Sequence, residues 1–431
     1  MNIYEYPSRD IWEQILARPV LSLENLENIV KPVLAAVKEG GDKALFELTA
    51  KFDKVALKSL FVSESEFEEA KRLVDDTLKE AIQIAYSNIE KFHNIQKEEV
   101  KLVETMPGVR CWRKSIAIQK VGLYIPGGTA PLFSTVLMLG IPAKIAGCEE
   151  LVLCTPPDKE GKIHPAILYT ANLLGISKVF KVGGSQAIAA MAYGTESITK
   201  VYKIFGPGNQ YVTVAKQLVS KEGVAIDMPA GPSEVAVLAD STGEPAFIAA
   251  DLLSQAEHGA DSQVLFVSTN KAMMKNVEDE LNIQLEQLPR KDLAAKALEN
   301  STFVLASNLE EAMDLINAYA PEHLILQVQD VEMVAFKVVN AGSVFMGNYT
   351  PEAAGDYASG TNHTLPTNGY ARQYSGVSLD SFVKKITFQH ISKEGINHIG
   401  PAIETMAAAE ELQAHKNAVT LRLNKKTKPS S

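Results

Sequence analysis

At 431 residues, 46 % of them hydrophobic, the chain is long enough for two or three domains with substantial apolar cores. A formal net charge of −10, with lysines and arginines scattered, excludes the basic face of a nucleic-acid binder. No apolar run nears the ~20 residues that span a bilayer, and Cys111, Cys148 and Cys154 lack the spacing of a disulfide or CxxC framework. Met1 to Ser8 has neither the basic start nor the apolar stretch of a leader, so a soluble, reducing, cytoplasmic setting without membrane or nucleic-acid partners is expected. Only Lys425, Lys426 and Lys428 bunch, and that tail is expected to be simply solvated.

The N-terminal third reads as helical. Residues ~64 to ~96 carry a charged pattern with apolar positions at helical spacing (Phe67, Leu73, Leu78, Ile82, Ile89), and Ser63 with Glu66 forms a capping box at its start. From ~117 to ~230 short β-rich runs alternate with helices. The strands are Ala117 to Ile125, Leu151 to Cys154, Lys178 to Val182, Val201 to Phe205 and Val224 to Asp227; the helices start near Pro131, Pro165, Ser185 and Asn209. Cys154 closes one of these runs and reads as a buried strand thiol. Further strands follow at Val235 to Leu238, Val264 to Val267, Phe303 to Ala306, Leu324 to Leu326 and Gly342 to Phe345.

That rhythm predicts an α/β fold: two Rossmann-like, doubly wound, mainly parallel sheets, with an N-terminal helical segment and a C-terminal helical tail. The similar texture of the two halves suggests an old duplication. The expected organisation is a discontinuous domain of 1–120 plus 235–375, an inserted domain at 121–234, and a tail at 376–431 that packs on a partner subunit. Between Gly347 and Gly376 lies a stretch of Gly, Asn, Thr, Tyr and Pro, read as a long functional loop.

Histidines beside acids and amides mark the candidate chemistry. In the helix beginning at Pro245 and stopping by Gly259, Phe247, Ile248, Leu252, Leu253 and Ala256 are expected to be buried. Asp251, Gln255 and His258 then share the other face, so Gln255 and His258 can reach one point. Glu322 and His323 follow Pro321 at a helix-to-strand junction, where two adjacent proton carriers can serve one cavity or stand as exposed surface. Asp356 and His363 occupy the long loop, and His415 follows a helical run. Imidazoles, a carboxylate and an amide suit zinc, with manganese or cobalt as alternatives. Glycines end strands and open helices at Gly122 to Gly128, Gly183-Gly184 and Gly206-Pro-Gly208-Asn209. Such turns suit a phosphate or are ligand-free βα turns. No GxGxxG is complete, since Tyr211 stands where the third glycine belongs, although Asp227 lies at the expected ~20-residue distance for a ribose-binding acid.

Taken together, Ile226 to Gly259, Val121 to Gly128, Ala320 to Leu324, Gly355 to His363 and Ala414 to Val419 resemble the signature strings of the histidinol dehydrogenase family, in order along nearly the whole chain. The resemblance implies oxidation of L-histidinol to L-histidine through an enzyme-held aldehyde, with two NAD+ as co-substrates. It implies one zinc per subunit on Gln255, His258, Asp356 and His415. Glu322 and His323 would be the catalytic bases. Substrate recognition would fall to Ser233, Gln255, His258, His323, Asp356, His363, Glu410 and His415. Tyr124, Gln186 and Asn209 match positions that contact NAD. A homodimer is implied, with Glu410 and His415 contributed by the partner. The remaining alternatives are a dehydrogenase of another small polar alcohol, a zinc hydrolase on the same donor set, and a non-catalytic metal-binding or assembly protein.

Overall fold

A computed structural model describes residues 1–18, 23–127 and 130–424. Gly128 and the lysine-rich tail therefore lie outside the described residues. Fourteen strands are described. They are β1 (Asn2–Glu5), β2 (Leu102–Met106), β3 (Val109–Ala117), β4 (Lys120–Tyr124), β5 (Glu150–Thr155), β6 (Lys178–Lys181) and β7 (Lys203–Phe205). Then follow β8 (Ala225–Ile226), β9 (Glu234–Ala239), β10 (Gln263–Ser268), β11 (Thr302–Leu305), β12 (His323–Gln327), β13 (Ser343–Met346) and β14 (Val383–Ile391).

The chain forms two compact units, one of Met1–Gln96 with Ile118–Phe382 and one of Lys97–Ala117 with the residues from Val383 onward. The first unit holds two parallel sheets. The five-stranded sheet has the order β6-β5-β4-β7-β8, and the six-stranded sheet has the order β1-β11-β10-β9-β12-β13. Setting β1 aside, both start in the middle, add two strands to one side and two to the other. The α/β reading holds, and so does the shared rhythm of the two halves.

Parallel strands covered by helices on both faces read as near-continuous apolar runs, and side-chain alternation splits each run between two cores. In the five-stranded sheet Val121, Leu123 and Leu153 enter one core, while Tyr124, Val152 and Cys154 enter the other. In the six-stranded sheet Val235, Val237, Val264 and Phe266 point one way, and Ala236, Leu238, Leu265 and Val267 the other. Cys154 is fully buried, and burial pushes its thiol pKa far above the ordinary range, as suits an inert core residue.

The second unit is an antiparallel sheet of order β14-β3-β2, with the helices Lys393–Ala409 and Gln413–Leu423. Lys97–Ala117, which the sequence reading leaves with the N-terminal helices, instead pairs with the tail. Nine residue pairs join β14 to β3, from Val383 opposite Ala117 to Ile391 opposite Val109.

Other boundaries shift for local reasons. The single run Ala117 to Ile125 divides, because β3 ends at Ala117 and β4 begins at Lys120 in another sheet. The helical pattern from Ser63 breaks into Glu64–Leu73 and Asp76–Asn94, since Asp75 caps a new helix by accepting the Leu78 N–H at 2.9 Å. Leu73, at that break, is exposed, and so is Phe247, whose ring lies 6.3 Å from that of Tyr349. The helix from Pro245 stops at Ala256, before Gly259, and the long loop contains a short helix, Glu352–Tyr357.

Candidate active site

The candidate acid–base pair, Glu322 and His323, sits at the amino ends of the six-stranded sheet. Pro321 cannot continue the helix Leu309–Tyr319, and Ala320 turns the chain out of it in a left-handed conformation (φ 55°). Glu322 then precedes β12, and His323 opens it opposite Val235 of β9. Both side chains are buried, at 6 % and 4 % exposure, so the exposed-surface alternative falls. One residue, Glu234, holds both through its backbone. Its N–H donates to Glu322 Oε2 at 3.0 Å, and its carbonyl lies 3.3 Å from His323 Nδ1. A carbonyl can only accept, so Nδ1 carries a proton, and when the ring is neutral the lone pair is left on Nε2. That Nε2 is sealed from solvent, has no hydrogen-bond partner, and points toward Asp356 Oδ1 at 3.7 Å.

Next to it lies a cluster of potential metal ligands. His258 follows the helix Pro245–Ala256, and Glu352 and Asp356 stand four residues apart on one face of the helix Glu352–Tyr357. One ligand atom from each of His258, Glu352 and Asp356 lies within 4.8 Å of the others. The Gln255 amide, with its nitrogen turned to Glu352, donates to both carboxylate oxygens, at 3.2 Å to Oε2. Sequence reasoning missed Glu352; its signal is the i, i+4 acid pair with Asp356, directly after a proline.

Electrostatics favour a cation here. Glu352 is fully buried among Asp356, Glu322 and Asp251; burial and those like charges raise its pKa. Burial likewise pushes Glu322 up to about 8 and Asp251 to about 7. Burial opposes the charge on His323, but Glu352, Glu322 and Asp356 outweigh it and lift its pKa to about 10. Raised carboxyl pKa values mean that ionising so many buried acids together is costly, a cost that a divalent ion would offset, and an imidazole, carboxylates and an amide suit zinc. His258 is solvent-exposed, yet the surrounding chain crowds it enough to hold its pKa below the ordinary imidazole value.

The remaining predicted residues divide. His363 joins the cluster from the long loop. Its Nδ1 donates to the Asp356 carbonyl at 2.9 Å, and its Nε2 accepts from the Thr135 hydroxyl at 3.1 Å, so both nitrogens are engaged. Thr135 belongs to the helix Phe133–Ala146 that follows β4, so this bond reaches the site from the five-stranded half. Ser233 is half-buried beside Glu234, and its carbonyl accepts the Gln263 N–H at 3.2 Å. Glu410 and His415 lie in the second unit, both exposed, while the ligand cluster is drawn from the first unit.

Tyr124, Gln186 and Asn209 converge on one cavity of about 800 Å³ in the first unit. They sit where β4 ends, where the helix Gly184–Tyr193 begins after β6, and where the helix Gln210–Lys221 begins after β7. These are the carboxyl ends of the five-stranded sheet, on either side of the point where strand order reverses, the usual ligand crevice of an open α/β sheet. The Tyr124 hydroxyl accepts the Gly184 N–H at 3.0 Å, and Asn209 caps its helix by accepting from the Tyr211 and Val212 N–H groups. Gly206 must be glycine: its φ is 131°, and a Cβ there would meet the Tyr124 carbonyl at 2.0 Å. Lys159, Lys162 and His164 line the same cavity, with Asp53 and the exposed Phe52.

Asp227 is not a ribose acid. It forms a buried ion pair with Lys216, accepts the Gly206 N–H at 2.8 Å and the Met228 N–H at 2.8 Å, and is absent from the cavity wall. Its ~20-residue spacing matches the dinucleotide pattern, but its oxygens are spent on holding the Gly206 turn.

Comparison with known proteins agrees with this geometry. The sequence pattern of the family described as histidinol dehydrogenase matches residues 16–423. A histidinol dehydrogenase of Bacteroides thetaiotaomicron is 62 % identical over 424 residues, covering 98 % of this chain and 99 % of that one. One from Bacteroides fragilis is 64 % identical over 423 residues, covering 98 % and 99 %. The crystal structure of histidinol dehydrogenase from Elizabethkingia anophelis superposes with a TM-score of 0.96 at 58 % identity, covering 98 % of each chain. A full-length match at such identity, on a site assembled from the same strings, places the oxidoreductase activity in a known lineage: the chain belongs to the histidinol dehydrogenase family.

Proposed function

We propose that the chain oxidises L-histidinol to L-histidine in two hydride transfers to two NAD+, with water consumed at the aldehyde stage and zinc bound beside the base. The observation that carries this is the buried Glu322–His323 pair, with an unpartnered imidazole nitrogen turned toward the ligand cluster. His323 Nε2 takes the hydroxyl proton as hydride leaves the carbinol carbon for the nicotinamide. After NADH has been exchanged for NAD+, Glu322 takes a proton from the water that hydrates the aldehyde, and His323 serves again in the second transfer. Glu234 fixes the imidazole so that the same nitrogen faces the substrate in both steps.

Gln255, His258 and Asp356 would hold the metal, with Glu352 bonded to Gln255 and close enough to ligate in its own right. Bound zinc would orient the imidazole and amino nitrogens of the substrate and offset the carboxylates that otherwise keep His323 protonated. Glu410 and His415 are read as coming from a second copy of the chain, in keeping with a homodimer; their exposure leaves them free for that role. Ser233 and His363 are read as substrate contacts, and Tyr124, Gln186 and Asn209 as walls of the NAD cavity. Residues 121–234 are read as the inserted dinucleotide domain of a larger one formed by 1–96 and 235–375, with 376–431, paired through β14 with the strands of 97–117, as the tail to the partner. No described helix is long and apolar enough to cross a membrane, in keeping with a cytoplasmic enzyme.

A zinc hydrolase could use the same donors with Glu322 activating water, but the cavity at the carboxyl ends of the five-stranded sheet would then have no task. Counting NADH formed per L-histidinol consumed, with and without chelator and added zinc, tests the reading. Two NADH per substrate, lost on chelation and restored by zinc, is the expected result. One NADH with free aldehyde would remove the second step, and none would move the case to another alcohol or to hydrolysis.

A further inference from the structure

The two proposed bases are held by a residue that is itself held. Glu234 opens β9, and its backbone bonds Glu322 and His323 at 3.0 and 3.3 Å. Its carboxylate, 2 % exposed, is gripped by Arg18 from the N-terminal segment, Nε to Oε2 at 2.6 Å. The same guanidinium donates from its other arm to the Tyr319 carbonyl at 2.8 Å and to the Ala320 carbonyl at 3.5 Å. Its Cζ lies over the Tyr319 ring, 4.0 Å from the centroid, and the Tyr319 hydroxyl donates to Gln263 at 2.8 Å.

Tyr319 and Ala320 form the turn from which Pro321, Glu322 and His323 emerge. One cation therefore ties together the amino ends of two neighbouring strands. On β9 it holds the residue whose backbone aligns both bases, and ahead of β12 it holds the turn that delivers them. A planar guanidinium suits this because its fork can serve a carboxylate and carbonyls at once, whereas an ammonium is a point charge. Ala320 in the left-handed region is a costly conformation for a residue with a Cβ, and carbonyls pinned by a partly buried cation help to maintain it.

We propose that Arg18 is a positioning residue for the Glu322–His323 pair, acting through Glu234 and the Tyr319–Ala320 turn. The proposal rests on the acid–base roles assigned above. The hydrogen bonds of Arg18 go to Glu234, Tyr319 and Ala320, none of which belongs to the potential ligand set of His258, Glu352 and Asp356, so its removal is expected to act on the bases rather than on the metal.

The test uses full-length, zinc-loaded protein with Arg18→Met, Arg18→Lys and, as a control on the underlying reading, His323→Asn. A base displaced by about 1 Å loses on the order of 100-fold in rate, so Arg18→Met is expected to lower kcat per folded molecule by roughly 10- to 100-fold. Zinc content and the KM values for L-histidinol and NAD+ should stay within about twofold. Arg18→Lys should recover part of the loss, and added guanidinium ion should recover part of it in Arg18→Met. A merely structural role would lower the melting temperature and the folded fraction while kcat per folded molecule stayed unchanged; that result overturns the proposal. So does a loss that appears in KM or zinc content with kcat intact. Should Arg18→Met not fold, Arg18→Lys decides: lowered kcat with unchanged KM supports the positioning role, and wild-type kcat defeats it. Normal turnover in His323→Asn would instead sink the acid–base reading, whereas a dead His323→Asn beside a fully active Arg18→Met sinks only the role of Arg18.

Discussion

Two adjacent bases with different protons to handle should be separable by substitution. Proton transfer by a positioned side chain contributes about 10²- to 10⁴-fold, so His323→Asn is expected to depress both oxidations by that order, read with L-histidinol and with L-histidinal as separate substrates. Glu322→Gln should spare the alcohol step and slow the aldehyde step; equal losses would remove Glu322 from water activation. Glu352 is a third handle. As a ligand, or as the partner that orients Gln255, its change to Gln should weaken zinc retention by about 10- to 100-fold, measured by competition with a chelator of known affinity. His258, His323 and Asp356 were legible because histidines beside acids are uncommon away from chemistry. Glu352 was not, because an exposed-looking acid at the start of a polar loop carries no mark until the chain folds it to 1 % exposure. Asp227 misled in the opposite sense: its spacing fits a ribose acid, but Lys216, eleven residues upstream in sequence, takes up its charge.

Elements with one strong local signal were legible in full. Ser63 accepts the Glu66 N–H while Glu66 Oε2 accepts the Ser63 N–H at 2.9 Å, so the capping box read from sequence is present. Ser63→Ala should cost about 1 kcal/mol, visible as a lower denaturant midpoint, with kcat per folded molecule unchanged. The strands of both parallel sheets were legible for a related reason. Their central stretches are buried on both faces, so they have to be largely apolar. β2 escaped that logic: it is exposed along its whole length, so it shows neither the apolar run nor the clean alternation that announces a strand. β1 also escaped, being four residues long and held at a sheet edge by β11, its partner 300 residues away.

For the whole molecule, the shared-site reading predicts complementation. His258→Ala and His415→Ala, each inactive alone, should regain activity when subunits are mixed and allowed to exchange; exchange without recovery would place His415 outside a shared site. Stability should also depend on pH through Asp53, at the cavity wall. Burial raises its pKa to about 6 from an unfolded value near 3.9. The folded protein then binds more protons than the unfolded chain between those values, so stability falls as pH rises from about 4 to about 6 and levels off above. Asp53→Asn lacks that slope. Without dinucleotide it should match the parent near pH 4 and melt higher near pH 7, and parallel curves would show that Asp53 titrates normally.

β1 aside, the same strand order appears in both parallel sheets, yet the proposed site borrows opposite ends of them: carboxyl ends for the cavity, amino ends for the candidate bases. An inherited scaffold used from both directions separates its burdens. On the reading proposed above, the turns that would admit and release a nucleotide carry none of the acid–base groups. The strands that hold those groups have no turn that a nucleotide must pass. Drift in one half can retune cofactor exchange while the other half keeps its chemistry. Thr135, reaching His363 across the two halves, is then a seam at which their histories have to stay in step.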